Sequence, residues 1–121
     1  MYELKYYLDT NAVRSFSPHL KNCREMGAFT SIWTICEMLG RVLKNPTDFN
    51  KIQKNFKGIS DSGICVVTKL PMELHYDAFS IIPSVEPFSN EILKLVIILI
   101  NAKSFEDFLI RVSLCLRAGT T

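Results

Sequence analysis

The chain has 121 residues, 48% of them hydrophobic and 21% charged, with a formal net charge of +2. That balance excludes a disordered tail, tolerates nucleic acid as a partner without arguing for it, and fits a single globular domain over residues 1–121 with a modest core. The longest apolar run, Leu95 to Ile100, falls far short of the roughly 20 residues a membrane-spanning helix needs, so no membrane contact is expected.

In chain order, residues 3–8 alternate weakly and are rich in tyrosine and leucine, which predicts a first strand ending at Asp9. Thr10 and Asn11 bring turn and cap chemistry to a short helical turn over 12–16, closed by Pro18. Residues 19–27 form a polar segment stopped by Gly27, and Ala28-Phe29-Thr30 suits a short second strand. Ser31 then caps the clearest predicted helix, 32–44, with Ile32, Ile35, Cys36, Leu39 and Leu43 on one stripe. Asn45-Pro46 ends it. A second helix is expected from a Thr47 cap, with Asp48 in its first turn and Phe49, Ile52 and Phe56 inward. Lys51, Lys54 and Lys57 point outward, and Gly58 is the predicted stop. Ser60 to Gly63 reads as a loop; Ile64 to Val67 suits either a strand or a helical turn. Three prolines (Pro71, Pro83, Pro87) break any long element between 71 and 87. Ser89 caps an apolar helix to about Asn101, and Ser104 caps another with Glu106 and Asp107 in its first turn and Phe108, Leu109, Val112 and Leu116 inward.

The sum is an α/β domain, helix-rich for its small sheet. Four cysteines (Cys23, Cys36, Cys65, Cys115) carry no C-x-x-C spacing and no nearby histidine, which argues against zinc. Cys36 and Cys115 sit in apolar stretches, where free cysteine behaves as a small hydrophobe. Residues 1–8 are too short, and too charged at Glu3 and Lys5, for a secretory signal, so a reducing, cytoplasmic setting is expected. His19 and His75 have no acid or serine at a telling spacing.

Two acids draw chemical interest. In open α/β sheets, ligands bind beyond the carboxyl ends of the strands. Asp9 at the end of the first strand is placed to hold a hard cation such as magnesium, although capping the following turn is an equally good use for it. Glu37 lies inside an otherwise apolar helix. It completes an S/T-x-x-E capping box if the helix starts at Thr34, or a surface pair with Arg41 at i, i+4.

Together, Leu8-Asp9-Thr10-Asn11 and Thr30-Ser31-Ile32-Trp33-Thr34-Ile35-Cys36-Glu37-Met38-Leu39-Gly40 resemble the PIN-domain family. Its members open with an apolar strand ending in Asp-(Ser/Thr)-Asn and carry a later helix with Ser, a short apolar/Thr stretch and Glu-Leu-Leu-Gly. The resemblance runs as far as Asn45. It implies a three-layer α/β/α fold with a small, mostly parallel sheet and a metal-dependent endoribonuclease of the toxin of toxin–antitoxin type. Asp9 and Glu37 would ligate Mg2+ or Mn2+, with RNA as substrate, an antitoxin-like protein as partner, and a homodimer as an open alternative. Clustered carboxylates hold a divalent cation that offsets their repulsion and activates water against a phosphodiester. The family's third acid opens a later helix; Asp77-Ala78-Phe79 matches it in part, and Asp107 before Phe108-Leu109-Ile110 is the other candidate, where a favourable first-turn charge is the plainer account. A fourth acid has no clear match. The pattern therefore suits the N-terminal part of a longer PIN-like protein, or a member that lacks its last elements.

Two other readings stand beside this. A non-catalytic PIN-like fragment or interaction module would keep the first two acids without a third. A haloacid dehalogenase-type phosphatase would need a second aspartate two residues after Asp9, where this chain has Asn11. The lysines at 44, 51, 54 and 57 suit a solvated helix side better than an RNA-binding face, and Trp33, Phe29 and Tyr7 suit a core better than a stacking platform.

Overall fold

A computed structural model describes residues 4–68 and 88–119, with side chains described as far as 116. Its elements run β1 (Tyr6–Tyr7), α1 (Thr10–Ser15), a 3-10 turn at Ser17–His19, α2 (Leu20–Glu25), β2 (Ala28–Ser31), α3 (Ile32–Lys44), a 3-10 turn at Pro46–Asp48, α4 (Phe49–Ser62), β3 (Cys65–Val67), α5 (Ser89–Asn101) and α6 (Phe105–Gly119). The protein is thus helix-rich α/β. The partial match at Asp77, together with His75 and the proline-broken stretch around it, lies outside the described residues.

The three strands form one sheet in the order β1-β2-β3. Both pairings are parallel, with Tyr7 opposite Phe29 and Ser31 opposite Val67. All four residues of β2 are buried, as expected for a central parallel strand covered on both faces. Strand alternation splits it: Ala28 joins the main core, whereas Phe29 turns to the other face and meets the Tyr7 ring at a centroid distance of 5.6 Å. The Leu8 amide donates to the Phe29 carbonyl at 2.8 Å, carrying the pairing one residue past the ladder.

Helix α3 covers the predicted span. Its buried stripe is Ile32, Ile35, Met38, Leu39 and Val42, and Leu43, expected inward, is 60% exposed. The stripe is turned by one position because Met38 and Val42 continue the i, i+3, i+4, i+7 row that Ile35 starts.

Helix α4 departs further. Asp48, not Thr47, takes the cap position. Phe49, Ile52 and Phe56 are buried, and Lys51, Lys54 and Lys57 are exposed, as expected. Gly58 does not stop the helix, which runs through the predicted loop at 60–62 and ends at Gly63, whose φ of 68° makes it the left-handed cap. The use of Gly58 is packing: a Cβ there would stand 3.0 Å from Ser17 Oγ and 3.2 Å from the Ser17 carbonyl. Cys65–Val67 then pairs as a strand, which settles a segment that length alone left open.

Beyond the sheet, α5 packs on α3 and α4. Leu99 is fully buried, and Phe105 and Phe108 of α6 meet Phe49 at 6.4 and 6.5 Å between ring centroids. Gln53 fastens the joint, its Nε2 lying within donor distance of the carbonyls of Leu99, Ile100 and Ala102 at 3.0, 3.2 and 2.7 Å. On α6, Phe108 is buried as predicted, but Leu109 and Leu116 are 45% and 65% exposed.

Candidate functional site

Beyond the carboxyl ends of β1 and β2 lies a polar cluster, the position at which open α/β sheets bind ligands. Asp9 leaves β1 exposed and caps α1, its Oδ1 accepting from the Ala12 amide at 2.9 Å. Next to it, buried Thr10 donates its hydroxyl to Glu37 Oε2 at 2.5 Å. That bond brings the α3 carboxylate to the residue beside Asp9. Thr30, at the end of β2, ties the two strands together by donating to the Leu8 carbonyl at 2.8 Å.

Around these acids sit further hydroxyls. The Tyr7 hydroxyl lies 2.7 Å from Ser31 Oγ and 3.2 Å from Thr34 Oγ1. Ser31 occupies the cap position of α3, as predicted, but its hydroxyl turns to Tyr7 rather than to the helix amides. Since α3 begins at Ile32, the capping-box reading of Thr34 and Glu37 does not hold. Glu37 reaches back to the β1–α1 junction instead.

Each acid keeps one oxygen clear. Asp9 Oδ1 and Glu37 Oε2 are engaged, while Asp9 Oδ2 and Glu37 Oε1 have no protein partner among the described residues. Magnesium suits such a pair, since it takes one or two carboxylates and completes its shell with water.

Asp107 has a different setting. It opens α6, where its amide donates to Ser104 Oγ at 3.1 Å. Its Oδ2 accepts from the Lys103 amide and from Arg111 Nε, each at 2.9 Å. These bonds hold its carboxyl below the ordinary aspartate range, the Lys103 amide first and the Arg111 side chain second. They account for Asp107 as a first-turn acid of α6, whose cap is Ser104. No group of three His, Cys, Asp or Glu side chains among the described residues is placed to hold a metal ion, so Asp107 does not join Asp9 and Glu37 in one.

The cysteines are all free. Cys36 is half-buried, and burial pushes its thiol up, away from the reactive thiolate. Cys115, expected within an apolar surface, is exposed.

A second feature flanks the cluster. An open cleft of about 540 Å³ lies between α1 and α4, lined by Asn11, Arg14, Ser15, Lys51, Lys54 and Asn55. Sequence reasoning found the two lysines but neither Arg14 nor Asn55. Their signal was the matched i, i+3, i+4 spacing of Asn11, Arg14 and Ser15 on one helix and of Lys51, Lys54 and Asn55 on the other.

The fold and cluster define a small parallel α/β domain with Asp9 at one strand end and Glu37 hydrogen-bonded to the residue beside it. Comparison with protein-family models, with curated proteins and with solved structures finds no match. Among the described residues no helix is long and apolar enough to cross a membrane.

Proposed function

We propose that the protein is a metal-dependent endoribonuclease with the three-layer α/β/α arrangement of PIN domains, hydrolysing RNA phosphodiester bonds beyond the strand ends of β1 and β2. One observation carries this reading: the Thr10–Glu37 hydrogen bond, which brings the α3 acid to the residue following Asp9 at the strand end. The parallel order of the sheet supports it too.

In this reading Asp9 and Glu37 hold Mg2+ or Mn2+ through their free oxygens. When bound, such an ion lowers the pKa of a coordinated water and offsets charge on phosphoryl oxygens. The chain's own residues orient the ligands. The Ala12 amide fixes Asp9 and the Thr10 hydroxyl fixes Glu37, so neither carboxylate must be immobilised when the cation arrives.

Calorimetric titration of the full chain with MgCl2 and MnCl2, beside cleavage of a fluorogenic RNA, tests the proposal. The expected result is saturable cation binding and metal-dependent cleavage, with Asp9→Asn and Glu37→Gln each lowering cleavage at least about a hundredfold. Absence of both binding and cleavage overturns it.

A second reading is favoured by the missing third acid among the described residues: a non-catalytic module that keeps the PIN-type frame and takes a protein partner. Weak cation binding without cleavage of any RNA selects it.

A further inference from the structure

We infer that the cleft between α1 and α4 is a binding site for the phosphates of a single-stranded RNA, a subsite beside the acidic cluster; its place next to a scissile bond rests on the function proposed above. Exposed lysines on one helix ordinarily make a solvated face. Two features set this cleft apart.

The first is convergence. Arg14 comes from α1 and Lys51 and Lys54 from α4, so every charged group lining the cleft is positive. The lysines, at i, i+3 on α4, repel each other with nothing in the lining to offset it. An anion relieves that repulsion. Asn11, Ser15 and Asn55 add uncharged donors beside the cations, a mixture typical of backbone phosphate contacts.

The second is Asn55. It is 9% exposed, yet its amide opens on the cleft and meets no protein partner among the described residues. Its side-chain amide therefore reaches the solvent of the cleft, where it is free to bond a ligand. The other buried polar side chains near the strand ends, Thr10 and Thr30, are hydrogen-bonded within the fold. Asn55 is aimed at something outside it.

Position makes the occupant a strand. Asn11 and Arg14 belong to the helix that Asp9 caps, so the cleft begins one turn from the acidic cluster. A lone phosphate would leave most of the volume empty, since about 540 Å³ falls within the range of nucleotide-sized pockets.

The test is fluorescence anisotropy of the full chain with a short labelled single-stranded RNA in EDTA, which separates binding from cleavage. Salt titrations compare wild type with Lys51→Ala/Lys54→Ala and with Lys44→Ala/Lys57→Ala, a control on exposed lysines outside the cleft lining. All four lysines are exposed, and circular dichroism verifies the fold of each variant. The expected result is an affinity loss of about tenfold for the cleft pair, with a salt slope reduced by a little over one and little change for the control. Asn55→Leu, which keeps the size and loses the donor, weakens binding further. The inference is overturned if wild type fails to bind RNA, if the control loses as much as the cleft pair, or if anionic lipid vesicles bind the cleft more tightly than RNA. Cleft-dependent binding without cleavage in magnesium removes the catalytic reading and leaves the cleft standing. Cleavage with cleft-independent binding does the reverse.

Discussion

The hydroxyl of Thr10 donates to the carboxylate of Glu37 at 2.5 Å, joining positions 27 residues apart. Thr10 is buried and Glu37 is exposed, so the bond links the strand-end junction to the surface of α3. A hydrogen bond to a charged group contributes about 1.5–3 kcal/mol when sheltered, and solvent near Glu37 reduces that to about 1 kcal/mol.

Thr10→Val, which keeps the shape and removes the donor, is therefore expected to lower Tm by about 3–5 °C. Glu37→Gln retains an acceptor and costs less. The double variant destabilises by less than the two single changes together, because Thr10→Val removes and Glu37→Gln weakens the same interaction. Differential scanning calorimetry of the four proteins checks this; strict additivity would refute the coupling.

Gly58 and Gly40 give opposite results when changed to alanine. Gly40 lies within α3 with nothing within 4 Å of a Cβ, so Gly40→Ala stabilises by about 0.5–1 kcal/mol through helix propensity. At Gly58 the Ser17 hydroxyl can turn away but the Ser17 carbonyl cannot, so Gly58→Ala is expected to destabilise by about 1–2 kcal/mol. Urea denaturation midpoints compare the two.

These glycines also show how far the sequence could be read. Glycine late in an amphipathic pattern is ordinarily a stop signal, and Gly58 carries that signal without acting on it. Its meaning lies in the close passage of the Ser17–His19 turn, a contact no local pattern encodes. The helical stripes of α3 and α4 and the second strand were legible because burial imposes their periods directly. Leu43, Leu109 and Leu116 were misplaced because an apolar residue at a stripe's edge is assigned a face only by its neighbours in space. At the site, the spacing of Asp9 and Glu37 carried the expectation, whereas the bond from Thr10 depends on how α1 and α3 meet. Asn55 was invisible, since its place in the cleft lining depends on how two helices meet.

Gln53 offers a sharper test of the α4–α5 joint. Its amide faces three carbonyls. Gln53→Ala removes the donor and is expected to cost about 1 kcal/mol or more. Gln53→Glu turns an acceptor toward the same carbonyls and costs more still at neutral pH. A urea midpoint for Gln53→Glu at or above that of Gln53→Ala would show that the clasp contributes nothing.

The acid limb of stability carries the signature of Asp107. Its folded carboxyl titrates below the ordinary range, held there by the Lys103 amide and Arg111. A lowered folded-state pKa contributes stability present above the unfolded value and lost as pH falls through the folded one. Asp107→Asn is therefore expected to be less stable than wild type at pH 7, with the gap closing as the pH falls below the usual aspartate range. Chemical denaturation at intervals from neutral to acid pH measures it; a gap that widens toward acid pH would contradict the assignment.

An all-parallel sheet has a consequence for how the chain is born. Among the described residues no two strands are joined by a hairpin, and Leu8 meets a residue 22 positions further on, Thr30. Helices α1 to α4 can begin to coil as they leave the ribosome, but β2 has no second neighbour until Val67 has emerged. Until then its buried face has one covered edge, and that interval is when a nascent chain most needs a chaperone.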